Sequence, residues 1–78
     1  MISDRLQQVI LKELGLESYP LEDDTLASTV PGWDSLSHIR VLLAVEEAFG
    51  IRIKGLEAIK LKNVGDLQRL VSRKTENQ

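Results

Sequence analysis

A chain of 78 residues with a net charge of -2 holds one domain at most, and a domain this small builds only a limited core. With no cysteine and a single histidine, it has no disulfide and lacks the several Cys or His ligands on which zinc sites usually draw. The near-balanced charge gives no reason to expect nucleic acid as a partner, and no apolar segment, signal peptide or lipidation motif suggests membrane insertion, so a cytoplasmic protein is expected.

The spacing predicts a first helix over residues 3–14. Ser3 can cap it, Asp4 suits the positive end of its dipole, and Leu6, Val9, Ile10 and Leu14 share one face. Gly15 is placed to end it. Residues 15–34 contain Pro20 and Pro31, which argue against a continuous helix. So long a connection usually has a reason. Its apolar residues Leu16, Leu21, Leu26 and Val30 suggest that it packs across the helices, with a helical turn around Asp24 to Ser28.

Residues 35–49, SLSHIRVLLAVEEAF, form the strongest helix signal. Leu36, Ile39, Leu42, Leu43 and Phe49 follow a helical rhythm, and Val41, Ala44, Val45 and Ala48 widen the apolar surface beyond one stripe. Such a helix is central to a bundle or shows part of its surface to a partner. Gly50 closes it, and residues 51–53 make a connector too brief for a sheet. A short helix over 56–61 would run through Leu56, Ile59 and Leu61. A last helix, capped by Asn63, would reach Arg73 and bury Val64, Leu67, Leu70 and Val71. The fold class that results is all-α: a small antiparallel bundle of three main helices plus one short helix, with a long first loop. The single domain covers residues 1–78, with 74–78 as a frayed polar tail.

Charge is unevenly spread. Residues 1–34 carry two basic and seven acidic side chains, whereas residues 51–78 carry seven basic and three acidic ones. A basic C-terminal third could touch an anionic partner, although a solvated face of mixed helices is the simpler reading.

The stretch PGWDSLSH, residues 31–38, delivers Ser35 to the first turn of the strongest helix. Unpaired N–H groups there and the helix dipole favour negative charge. Three readings are open. Asp34 or Ser35 caps the helix and does nothing else. Alternatively Ser35 is a nucleophile with His38 as base and Asp34 as orienter, but Asp34 adjoins the serine, no oxyanion loop is visible, and a bundle this small offers no deep pocket. In the third reading, a group is attached to Ser35, with Asp34 as cap or as a metal or partner ligand during attachment.

Residues 34–53, DSLSHIRVLLAVEEAFGIRI, resemble the signature of the acyl carrier protein family. Asp34, Ser35, Leu36, Ile39, Ala44, Glu46, Glu47, Phe49 and Ile51 match that pattern in register, and the likeness extends over nearly the whole chain. The resemblance implies that a separate magnesium-dependent phosphopantetheinyl transferase attaches phosphopantetheine from coenzyme A covalently to Ser35, with Asp34 and Leu36 as motif neighbours. The chain would then be no enzyme. It would present acyl groups as thioesters to acyl-loading and acyl-processing enzymes, through Leu36, Ile39 and Leu43 as apolar contacts and Glu46 and Glu47 as acidic ones. Flexible tethering raises the effective concentration of cargo at each partner, and the thiol that a cysteine-free chain lacks would arrive with the arm. A monomer is expected.

The departures from the family pattern are also informative. Ser37 and Arg40 stand where carriers of fatty-acid synthesis commonly have acids, and Trp33 replaces a small residue. These point to a dedicated pathway handling a specialised lipid, a polyketide or a related cargo. An aminoacyl or peptidyl carrier is the alternative, as is an unmodified helical adaptor binding through Val41, Val45 and their neighbours. Ser37 is the rival attachment point, His38 is expected to face solvent or a partner, and Trp33 to fix the corner by packing, or to lie against the arm or cargo.

Overall fold

In the computed structural model, which describes residues 1–76, Ser3 and Gly15 bracket the first helix, α1 (Asp4–Leu14), as the spacing predicts. The Ser3 hydroxyl accepts from the Leu6 N–H at 3.3 Å, and Gly15 takes the left-handed φ of 72° that closes the last turn. Leu6 and Ile10 are fully buried, while Val9 and Leu14 are half-buried beside them. A 3₁₀ turn (Ala27–Thr29) interrupts the long loop, slightly later than expected. The helices α2 (Ser35–Phe49), α3 (Gly55–Ile59) and α4 (Val64–Glu76) follow. The described residues contain no strand.

The helices α1 and α2 run antiparallel. Arg5, at the start of α1, donates to the Ala48 carbonyl at the end of α2, and its guanidinium lies 5.2 Å from the Phe49 ring centre. The core behind them joins Leu6 and Ile10 to Val41, Leu42 and Val45 of α2 and to Val64, Leu67 and Val71 of α4. Val41 and Val45 are wholly enclosed, which removes them as the surface of an adaptor. Their burial follows from α2 being apolar on two sides: one side meets α1 and α4, and the other does not.

The loop is anchored by Leu21, Val30 and Trp33, all buried, but Leu26 is 46% exposed and packs less than expected. Its backbone does further work at α4. The Val64 N–H donates to the Thr25 carbonyl and the Gly65 N–H to the Asp23 carbonyl, each at 2.9 Å. Two donors that a helix start normally leaves unpaired are thereby satisfied by the loop. Gly65 is required for this approach, since a Cβ there would lie 2.6 Å from the Asp23 carbonyl oxygen. Asn63 caps α4 as expected, accepting from the Asp66 N–H at 2.8 Å.

Two boundaries differ from expectation. The short helix ends at Ile59, because Lys60 and Leu61 close it with tight turns onto Glu57 and Ala58. In addition, α4 continues past Arg73 to Glu76, so residues 74–76 are helical and not a frayed tail. Lys74 explains the extension: its ammonium lies 2.9 Å from Glu57 of α3. Residues 77–78 of the expected tail lie outside the described residues.

Candidate functional site

The corner into α2 is built from side chains with separate tasks. Gly32, at φ +80°, turns the chain where a side chain would be strained. Trp33 then enters the core, 7% exposed, and its Nε1–H donates to His38 Nδ1 at 3.0 Å. The two rings lie 6.0 Å apart, tilted by 31°. Because Nδ1 accepts, the proton of the neutral imidazole sits on Nε2. His38 is therefore half-buried and paired to Trp33, not directed wholly to solvent or a partner.

Asp34 is the N-cap. Its carboxylate accepts from the Ser37 N–H at 2.8 Å. That backbone bond, followed by the Ser37 hydroxyl, holds the Asp34 carboxyl below the usual carboxylate range. Ser37 thus spends its backbone and hydroxyl on the cap, and it is half-buried. Ser35 occupies the first helical position, exposed, and no hydrogen bond among the described residues engages its hydroxyl. No hydrogen bond joins Ser35 to His38 either, and both partners that a triad would need are occupied, His38 by Trp33 and Asp34 by Ser37. The geometry leaves the Ser35 hydroxyl exposed at the start of α2. Among the described residues no group of three His, Cys, Asp or Glu side chains is placed to hold a metal.

Beyond Ser35, the outer side of α2 is exposed at Leu36 (60%), Ile39 (57%) and Leu43 (58%), with Arg40 and Glu47 between and beyond them. Glu46 is different: its carboxylate accepts from the Ile53 N–H at 2.7 Å, tying the connector to α2. The connector brings Lys54 beside Leu43 in one groove, while Leu61 shares a recess with His38. In α3, Leu56 and Ile59 are 76% and 79% exposed. Sequence reasoning used Leu56 and Ile59 only to place a helix. The shortness of that helix is the signal of their exposure, for five residues cannot bury much against a neighbour.

No protein-family model matches the chain. It is 28% identical over 76 residues to an acyl carrier protein of Clostridium acetobutylicum, covering 97% of this chain and 99% of that one. It also superposes on the solution structure of holo acyl carrier protein from Geobacter metallireducens with a TM-score of 0.89. The identity there is 35%, over 95% of this chain and 85% of the other.

The likeness to acyl carrier proteins in sequence and fold marks a carrier, not a catalyst. The chain belongs to the acyl carrier protein family. No described helix is long and apolar enough to cross a membrane.

Proposed function

We propose that this chain carries acyl intermediates as thioesters on a phosphopantetheine arm attached to Ser35. The observation that carries this reading is the division of labour at the corner: Asp34 caps, Ser37 serves the cap, and the Ser35 hydroxyl is exposed and unengaged. A phosphodiester at that position would meet the positive end of the α2 dipole. The matched solved structure is a holo acyl carrier protein, and its family carries phosphopantetheine.

In the attachment step, the Ser35 oxygen bonds to the pantetheine-bearing phosphorus of coenzyme A. The phosphorus–oxygen bond to adenosine 3′,5′-bisphosphate breaks, and the serine proton passes to a base of the transferase. The arm brings the thiol; the chain contributes position and a docking face. That face comprises Leu36, Ile39, Arg40 and Leu43, with Glu47 at its far end; Glu46 contributes through the connector that it holds. Arg40 in this face favours a dedicated set of acyl-loading and acyl-processing enzymes over those of housekeeping fatty-acid synthesis, because rim charge governs encounter rate and partner choice.

Incubation of the apo chain with coenzyme A, magnesium and a broad-specificity phosphopantetheinyl transferase tests the assignment by intact mass. One added phosphopantetheine in the parent and none in Ser35→Ala is the expected result. Addition to Ser35→Ala would move the site to another residue. No addition with several transferases would favour an unmodified helical adaptor.

A further inference from the structure

We infer that α3 and its flanks form a second docking surface, an apolar pair bracketed by free cations, which fits a protein partner whose apolar contact is rimmed by aspartate and glutamate. The surface is independent of any arm on Ser35. Residues 51–78 carry seven basic side chains, but these are not equally available. On α4, Arg69 pairs with Asp66, and Arg73 and Lys74 both pair with Glu57. The other four, Arg52, Lys54, Lys60 and Lys62, are exposed and join no ion pair among the described residues. Two of them precede α3 and two follow it. Between them stand Leu56 and Ile59, 76% and 79% exposed. Glu57 is the one acid in this stretch. It is half-buried and held by the Lys54 N–H and by α4, so it does not cancel the four cations.

An apolar centre with a charged rim is the anatomy of a protein interface. Nucleic acid fits poorly, because no aromatic ring stands in this stretch for a base to stack on. An anionic lipid surface fits less well than a protein. Glu47 is exposed and lines the same groove as Arg52 and Lys54, so a flat layer of anionic headgroups would press on that carboxylate as well as on the cations. A protein can set its acids against the four cations and leave Glu47 to water. The outer side of α2 makes the contrast: Leu36, Ile39 and Leu43 are accompanied by Arg40 and Glu47, of opposite sign, and select neither sign of partner. Around α3 the free charge has one sign. It speeds encounter with an acidic surface and rejects a basic one.

The test titrates the isotope-labelled full chain, at low salt, with a synthetic helical peptide bearing a leucine stripe flanked by glutamates. A twin peptide carries lysines in place of the glutamates, and amide shifts report binding. The glutamate peptide should move the amides of residues 52–62 and bind at least about fivefold more tightly than its twin, with the preference shrinking as salt rises. Lys60→Glu combined with Lys62→Glu should reverse the preference. Leu56→Ala combined with Ile59→Ala should weaken the glutamate peptide at least about fivefold, and because neither side chain is buried the variant keeps its fold. Equal affinity for the two peptides overturns the proposal, as do shifts confined to α2 or no shifts with either peptide. Vesicles of phosphatidylglycerol and phosphatidylcholine should leave the chain in the supernatant. Sedimentation with them that Lys60→Glu and Lys62→Glu abolish would assign the surface to lipid and overturn the protein partner. Failure of the attachment reading shows separately, as no mass gain at Ser35, and leaves every one of these titrations unchanged.

Discussion

The helices α3 and α4 are neighbours made from similar residues, yet they are held by different forces. In α4, Val64, Leu67, Leu70 and Val71 are at most 5% exposed, so burial fixes the helix. In α3, Leu56 and Ile59 are almost as exposed as free side chains, and nothing apolar in α3 is fully buried. Beyond the small Ala58, which packs against the core, what ties α3 to the bundle is Glu57. Its carboxylate accepts from the Lys54 N–H at 3.0 Å, capping the short helix, and meets Lys74 at 2.9 Å and Arg73 at 3.8 Å on α4. One helix spends its apolar residues on the fold. The other withholds them, and so has surface to offer.

The largest expected effect lies on α4. Leu67→Ala should cost about 2–5 kcal/mol in urea unfolding, because it removes a buried side chain and leaves a cavity. A loss under about 1 kcal/mol would mean that the α4 side of the core repacks freely, and the contrast with α3 would collapse.

A smaller effect should come from acid, and it sharpens the contrast by acting on α3. Backbone bonding from Lys54, and then Lys74, holds Glu57 below the usual carboxylate range, and Asp66 is lowered by the Lys62 N–H and by Arg69. A carboxyl depressed in the folded state binds fewer protons there than in the unfolded chain. Its contribution is therefore complete above the unfolded value, near 4, and is lost as pH falls through the folded one. Thermal melts should decline as pH falls below about 4, with a shallower decline in Glu57→Gln. An identical decline in that variant would remove Glu57 as the tie.

The smallest effect is expected at the exposed pair. Leu56→Ala and Ile59→Ala should each change stability by no more than about 0.5 kcal/mol, measured in the same urea series. A loss near that of Leu67→Ala would show that α3 does depend on them.

These contrasts also mark what the sequence disclosed. The caps at Ser3 and Asn63, the closing Gly15 and Gly50 and the Asp34-Ser35-Leu36 corner were all legible, because each is a local side-chain or backbone requirement. The buried face of α4 followed from its period. For α2 the period named every apolar position but not which of them its neighbours would cover. Leu36, Ile39 and Leu43 lie outside, while Val41 and Val45 are sealed. The Trp33–His38 bond went unread because it joins a loop residue to a helix residue through side chains that no periodicity relates. The loop's hold on α4 went unread because carbonyls at Asp23 and Thr25 perform it, and any residue type supplies a carbonyl.

One consequence follows from Ser35 standing one place beyond the cap. Because no described group shares its hydroxyl, a phosphodiester on that oxygen would break no bond of the fold, and its negative charge at the start of α2 would add a modest stabilisation. By linkage, the folded chain would then accept the arm with a modestly greater intrinsic preference than the unfolded one. Information about loading would therefore reside outside the bundle, in the arm and the surface around it. A partner would tell empty from charged carrier by touching that end.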